Sequence, residues 1–429
     1  MLKGIILGVK LDKVSSDIFN YELEELKNLA LSCDIEIIDE VTQNLEEVNH
    51  LTYIGKGKIE ELKMVIEATD AEVVVVNDEL TPKQISSLDK ALEVLIYDRT
   101  YLILEIFKTR AKTKEAILQV ELASITYLYP RLAGMRSGLS RQRGKGGGFS
   151  HGRGAGETKL ELDRRINNDR KIQLKNELKE LSLVRKEQRR KRNQSNIKTV
   201  ALVGYTNSGK SSTINALLSE TMAKEEKKLF QKDMLFATLE TQTRLINSKY
   251  GDFLLTDTVG FIDKLPHDLV EAFKSTLEEI KESDLILHVV DSANPRFPEQ
   301  IKVTNEVLKE LGASDIPMVY VFNKIDKVEG YFYIDNEYIN KNNHAIRISA
   351  KEKTNIDKLQ KLIIDECYYD YDLVEFHFPY DVEFLIYELK KDAIYFNHSY
   401  TEEDVVVVAL VSKRKQEKFN QYKKCVLAK

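Results

Sequence analysis

A chain of 429 residues has room for about three domains, each able to bury a core of its own. Its three cysteines (Cys33, Cys367 and Cys425) match neither a metal-ligand spacing nor a disulfide framework, and no run of about 18 apolar residues occurs. A reducing, cytoplasmic setting without a membrane span is expected, and neither the start at Met1-Leu2-Lys3-Gly4 nor the position of Cys425 suits a signal peptide or prenylation.

In the first hundred residues, apolar runs at Ile5–Val9, Ile35–Ile38, Val73–Val76 and Val94–Ile96 alternate with helix-like stretches at Ile18–Leu31, Ile59–Ala68 and Pro82–Leu92. Strands rich in β-branched residues, separated by helices, predict a parallel sheet covered on both faces. Thr81-Pro82-Lys83-Gln84 reads as a capping box with proline at the first helical position. Tyr53-Ile-Gly-Lys-Gly-Lys58 leads into a helix. It is either a plain glycine turn or a backbone cradle for phosphate, and it lacks the full G-x-x-x-x-G-K-[ST] pattern.

From Lys114 to Tyr129, Leu118, Leu122, Ile125 and Tyr129 fall at helical spacing; Leu162, Ile166, Leu174, Leu178 and Leu181 repeat the pattern further on. Two such helices predict an antiparallel hairpin. Its connection, Ala133 to Glu157, holds nine of the nineteen glycines together with Arg136, Arg141, Arg143, Lys145 and Arg153. Residues 141–192 carry 17 Lys or Arg against 7 Asp or Glu, in a chain whose net charge is −5. Two readings stand for the connection. It is a flexible linker, or it is a tip that orders against RNA phosphate, with Arg141, Arg143, Lys145 and Arg153 as the contacts. The asymmetry implies one local polyanion contact rather than general adhesion to nucleic acid, and no DNA partner is expected.

Val200-Ala-Leu-Val-Gly-Tyr-Thr-Asn-Ser-Gly-Lys-Ser211 combines a buried strand with G-x-x-x-x-G-K-S, and a helix-compatible stretch, Ser212 to Leu218, follows. Glycines let successive N–H groups and a helix N-terminus face one anion. Gly204, Tyr205, Thr206, Asn207, Ser208, Gly209, Lys210, Ser211 and Ser212 are therefore the candidate phosphate loop. Lys210 would reach the β- and γ-phosphates, and Ser211 would offer its hydroxyl to Mg²⁺. Downstream, the strand Phe253–Thr256 delivers Asp257-Thr-Val-Gly260, where Asp257 suits Mg²⁺ and the Gly260 N–H suits a γ-phosphate. Thr238 is the preferred switch threonine for the same ion, with Thr241 as the alternative.

Two further strands, Leu285–Val290 and Val319–Phe322, precede Asn323-Lys-Ile-Asp326, and Ser349-Ala350-Lys351 completes the set. A carboxylate at Asp326 can accept from guanine N1–H and its exocyclic amine together, which adenine cannot offer. Asn323 would support the other edge of the base, Lys324 lies between them, and the Ala350 N–H is available to the guanine oxygen. Thr354-Asn-Ile-Asp357 is read as a further helix cap. Four motifs in this order, each at a strand end, resemble a translation-factor-class GTPase using GTP, GDP and Mg²⁺.

Phe261 stands where many small GTPases carry the glutamine that orients the attacking water, so hydrolysis is expected to need another group. Asn207 is either a turn asparagine or the residue that helps hold a K⁺ beside the phosphates. In the last segment, Leu373–Phe378, Ile394–Phe396 and Val405–Val411 read as strands, and Val382–Lys390 and Lys413–Tyr422 as helices. A core of about 60 residues is marginal alone, so this segment is expected to lean on the GTPase domain.

The chain as a whole resembles the HflX family of ribosome-associated GTPases. The resemblance rests on Tyr53-Ile-Gly-Lys-Gly-Lys58, Asp98-Arg-Thr100, Leu104-Glu-Ile-Phe107, Gln119-Val-Glu-Leu-Ala123, Gly138-Leu-Ser-Arg141, Gly154-Ala-Gly-Glu157 to Arg165, and Leu235-Phe-Ala-Thr-Leu239. The family commonly has Asp-Pro after that last leucine, where this chain has Glu240-Thr241. The resemblance implies an α/β chain in four pieces: an N-terminal α/β subdomain (1–108), a helical hairpin (109–195), a P-loop GTPase domain with a mostly parallel sheet (196–368) and a small C-terminal α/β domain (369–429). It also implies a monomer that binds the large ribosomal subunit and its rRNA near the peptidyl transferase centre and splits stalled or idle ribosomes, often under stress. Some members are reported to bind ATP through the N-terminal domain, for which Gly55, Gly57 and Lys58 are the candidates.

Overall fold

A computed structural model describes residues 1–132, 155–192, 197–219, 243–258, 260–262, 277, 279–328 and 343–427. The chain divides into two compact units, one formed by residues 1–183 and one by the described residues from 184 onward.

In the first unit, strands β1 (Leu2–Leu11), β2 (Ile35–Leu45), β3 (Val73–Val76) and β4 (Leu95–Asp98) form an all-parallel sheet in the order β2-β1-β3-β4. Four consecutive valines make β3, and all four are fully buried, as a strand covered on both faces requires. Helices α1 (Ser16–Ser32), α2 (Lys56–Thr69) and α3 (Pro82–Leu92) connect the strands. The α3 capping box forms: Thr81 Oγ1 accepts from the Gln84 N–H, and the Thr81 N–H donates to Gln84 Oε1 at 2.9 Å. Helix α4 (Arg99–Arg110) shows no one-sided pattern in the sequence, because Leu102, Ile103, Leu104, Ile106 and Phe107 are all buried.

The hairpin helices are α5 (Lys114–Leu132) and α6 (Ala155–Arg192). Leu118 and Leu122 meet Leu174 in a seam that Ile125, Leu178 and Leu181 flank. Arg170 clasps Glu121 with Nε and Nη2 at 2.7 and 2.9 Å. Ile166, read as part of this seam, instead lies 57% exposed. The opposite face of α5 is also buried, through Ala116, Val120, Ala123 and Tyr127, which pack toward α3 and α4.

The second unit holds a six-stranded sheet in the order β10-β9-β8-β5-β7-β6. Its strands are β5 (Thr199–Gly204), β6 (Thr243–Ser248), β7 (Gly251–Asp257), β8 (Leu285–Asp291), β9 (Met318–Asn323) and β10 (Asn343–Arg347), with only β6 antiparallel. Helices α7 (Lys210–Ser219), α8 (Phe297–Glu310) and α9 (Ile356–Cys367) cover it. The read cap at Thr354–Asp357 does not form as expected: Asn355, at φ 59°, is the N-cap, and its amide donates to the Arg347 carbonyl rather than capping the helix.

A second, antiparallel sheet of this unit runs β12-β13-β11-β14, from β11 (Tyr371–Pro379), β12 (Tyr395–Tyr400), β13 (Asp404–Ser412) and β14 (Lys423–Leu427), with α10 (Glu383–Asp392) packed on one face. The expected helix at Lys413–Tyr422 is instead a single α-turn, Lys413–Gln416, followed by a 3-10 stretch that buries Phe419, and β14 has no strand pattern in the sequence. The two sheets share one core: Tyr371, Ile394 and Leu410 cluster with Leu202, Phe253, Ile364 and Tyr368. The Tyr368 hydroxyl accepts from the Lys198 N–H at 2.9 Å and donates to the Asp252 carbonyl at 2.8 Å. The small sheet thus borrows apolar cover that its own length does not supply. Among the described residues no helix is long and apolar enough to cross a membrane.

Candidate functional site

Strand β5 sits where the sheet order reverses: β6 and β7 lie on one side, β8 to β10 on the other. In an open α/β sheet the crevice at the carboxyl ends of the strands at this point is the natural ligand position. Three of the four motifs start there, because Gly204, Asp257 and Asn323 each end a strand of this sheet, and the fourth, after β10, joins them through the Ala350 N–H to Asn323.

Backbone conformation dictates the loop between β5 and α7. Gly204 has φ +150°, and a Cβ there would stand 2.3 Å from the Val289 carbonyl oxygen. Gly209, at φ +93°, would bring a Cβ to 2.2 Å from Asn323 Nδ2. Neither position admits a side chain. Asn207 is exposed at φ 60°, a left-handed conformation that asparagine tolerates, so its backbone alone accounts for the residue type. Ser211 and Ser212 stand half-buried in the first turn of α7.

Lys210 is buried, and its ammonium donates to the carbonyls of Gly204 at 3.0 Å and Tyr205 at 2.8 Å. Burial lowers its pKa to about 8, against the attraction of Asp257. Asp257 is itself buried at the end of β7. The hydroxyls of Thr206 and Ser208 are buried and have no hydrogen-bond partner among the described residues. A loop with a buried cation and two unsatisfied hydroxyls fits a polyanion, which would satisfy all three.

The segment after Asp257 is tied to the loop by its main chain. The Phe261 N–H donates to the Gly204 carbonyl at 3.1 Å, and the Thr206 N–H donates to the Phe261 carbonyl at 2.7 Å. Gly260 lies against the Lys210 ammonium, and the Phe261 side chain is buried.

The base-reading residues brace one another. Asn323 Nδ2 donates to the Ser208 carbonyl at 3.1 Å, and its Oδ1 accepts from the Ala350 N–H at 3.0 Å. That N–H, read as available to a guanine oxygen, is therefore already engaged. Lys324, at φ 62°, donates to the Asn207 carbonyl and to Asp291 Oδ2, both at 2.7 Å. Asp326 is exposed and accepts from the Ser349 hydroxyl at 2.5 Å; Lys351 is exposed beside it in the same loop set. Thr238, Thr241, Arg141, Arg143, Lys145 and Arg153 lie outside the described residues.

Two buried polar arrangements carry no role that the sequence motifs announce. His288 on β8 is buried, its pKa lowered to about 3 by burial and by Lys210, and its ring lies 5.3 Å from that of Tyr320. In the first unit, buried Asp98 accepts from Leu80 N–H, Tyr101 N–H and the Tyr127 hydroxyl, at 2.9, 2.9 and 2.5 Å. Arg131 stacks over the Tyr127 ring and pairs with Glu79 at 2.7 Å, while Arg99 pairs with Glu25. Asp98 with Tyr101 and Tyr127 with Arg131 are one-turn neighbours, but Asp98 with Tyr127, Arg131 with Glu79 and Arg99 with Glu25 are distant in sequence. At the other glycine turn, the Gly55 N–H donates to Gln43 Oε1 at 3.0 Å, and Lys58 pairs with Glu61 at 2.7 Å. Of the three candidates there, Gly55 and Lys58 are thus engaged within the chain.

Residues 20–108, 110–192 and 199–324 match family profiles described as GTP-binding GTPase N-terminal, GTP-binding GTPase Middle Region and 50S ribosome-binding GTPase. A protein named GTPase HflX from Caldanaerobacter subterraneus subsp. tengcongensis is 45% identical over 401 residues, covering 93% of this chain and 90% of the relative. The one from Lacrimispora saccharolytica is 46% identical over 342 residues, with 80% and 78% covered. That of Escherichia coli is 40% identical over 340 residues, with 79% and 77% covered. Guanine-nucleotide motifs gathered at one sheet end, on a chain this similar to these relatives along most of its length, make the protein a member of the HflX family of GTPases.

Proposed function

We propose that this GTPase binds the large ribosomal subunit and splits stalled or idle ribosomes, with its nucleotide state gating binding and release. The observation that carries the reading is the match of residues 199–324 to a profile described as 50S ribosome-binding GTPase, in a chain whose hairpin connection concentrates arginine. Four pieces would divide the work: 1–108 as a base, 109–195 as a prong, 196–368 as the nucleotide switch and 369–429 as its buttress. Arg141, Arg143, Lys145 and Arg153 would contact rRNA near the peptidyl transferase centre, giving a salt-sensitive grip.

At the nucleotide site, Lys210 would leave the Gly204 and Tyr205 carbonyls for the β- and γ-phosphates, and the loop N–H groups from Tyr205 to Ser212 would surround them. Ser211, Asp257 and Thr238 would hold Mg²⁺, which supplies neutralisation of phosphate charge when bound. The Gly260 N–H would meet the γ-phosphate, and Asp326 would read guanine, with Ser349, Ala350 and Lys351 bordering the base. Phe261 offers no group to orient water, so that group comes from a switch segment or a partner, and a K⁺ beside Asn207 would supply the charge of an arginine finger. Ordering of the switch segments by the γ-phosphate is the bistable step.

Sedimentation tests this. Whole ribosomes mixed with the protein and a non-hydrolysable GTP analogue should shift to free subunits, and a deletion of Gly144–Gly148 should abolish the shift. Binding restricted to immature subunits, with whole ribosomes left intact, would replace this reading with that of an assembly factor.

A further inference from the structure

The antiparallel sheet of the second unit has two edges, and they differ. Strand β14 begins with Lys423 and Lys424, charges that discourage another strand from pairing. Strand β12, Tyr395-Phe-Asn-His-Ser-Tyr400, carries none of these devices, and its last four residues are exposed. An unprotected edge offers a row of main-chain donors and acceptors to an extended polypeptide.

Lys390 already lies over the Phe396 ring, 5.6 Å from its centroid, while the side chains toward the Tyr400 end of that edge are aromatic and acidic. Phe396, His398 and Tyr400 project to one face, with ring centroids 5.6 Å apart at each step. Tyr400 is 60% exposed and Tyr380 47% exposed; their rings are parallel within 4°, with centroids 6.5 Å apart. The Tyr380 hydroxyl donates to the Thr401 carbonyl, which holds its ring in place. Asp381 follows Tyr380 in the chain, and Glu402 and Glu403 follow Thr401, so the bond joins two acidic stretches. All three carboxylates are exposed, and none has an ion-pair partner among the described residues. Exposed ring faces bordered by unpaired carboxylates attract cationic side chains and repel phosphate.

We propose that β12 is the docking edge for an extended, lysine- or arginine-rich polypeptide. The segment adds a strand beside β12, and alternate cationic side chains lie over Tyr380 and Tyr400 and against Asp381, Glu402 and Glu403. Main-chain pairing supplies the register, and the rings and carboxylates select the charge.

The test uses the full chain and a fluorescent short peptide of alternating lysine and valine, with binding followed by anisotropy. Tyr400→Ala, and separately Glu402→Lys with Glu403→Lys, should each weaken binding by about tenfold or more. Peptides N-methylated at alternate residues should bind weakly in one of the two registers, while GTP hydrolysis stays unchanged in every variant. Unaltered affinity in these variants, or equal binding of both N-methylated forms, overturns the proposal. So does tighter binding of single-stranded oligouridylate at the same residues, or a Tyr400-dependent dimer in analytical ultracentrifugation, since those outcomes give the edge to RNA or to a second copy.

Discussion

Asn323 donates its side-chain amide to the carbonyl of Ser208 at 3.1 Å, so the residue that ends β9 also fixes the phosphate loop. Its other end accepts the Ala350 N–H at 3.0 Å. Asn323→Ala therefore loosens phosphate and base loops together. It should weaken GTP and ATP binding alike, by about 2 kcal/mol or roughly thirtyfold, as two lost hydrogen bonds imply. Asp326→Ala removes the base contact, together with the hydrogen bond from the Ser349 hydroxyl, and should erase the preference for guanine while sparing weak binding of both. Calorimetric titration of the two variants separates these effects; a purely guanine-selective loss in Asn323→Ala would refute the bracing role.

Lys210 gives the site a pH dependence. Burial brings its pKa down to about 8 in the free protein, and bound phosphates would raise it again. GTP affinity should then be flat below that pH and fall by about tenfold per pH unit above it, because binding must restore the proton. Titrations across that range with the same Mg²⁺ concentration read the slope directly, and a flat profile above pH 8 would contradict it.

Removing the Tyr127 hydroxyl leaves buried Asp98 with one donor fewer. Tyr127→Phe should destabilise the first unit by about 1–2 kcal/mol, the loss of one hydrogen bond to a buried carboxyl group that keeps its two main-chain donors. Because α5 is anchored by this contact, its amide hydrogens should exchange faster. Nucleotide affinity should stay as it was, and a parallel loss of GTP binding would argue against so local an effect.

His288 should make the second unit acid-sensitive. Its pKa in the native state is lowered from 6.5 to about 3, so the unfolded chain gains a proton first as the pH falls. Its contribution to stability is lost as the pH drops through that window, at up to about 1.4 kcal/mol per unit. In His288→Phe, which keeps a ring beside Tyr320, the slope of stability against pH should be shallower by that amount over the same interval. Denaturant titrations at several pH values supply the comparison.

Periodic and local signals carried far. The alternation of apolar runs defined the parallel sheets, Thr81 to Gln84 announced their own capping box, and glycines that no side chain can replace marked the phosphate loop. These features depend on residues close together in the chain, and so they are written in it directly. Fewer cues existed for α4, whose five consecutive or near-consecutive apolar residues are all buried, and for β14, whose short charged stretch gains its strand only by pairing with β11. What tertiary structure alone decided were the pairings across long loops: Asn323 with Ser208 and Ala350, Asp98 with Tyr127, Tyr368 with Lys198 and Asp252. Burial also set the charge states of Lys210 and His288. A side chain's partner and its dielectric surroundings depend on which strands become neighbours, and that is settled only when the whole core closes.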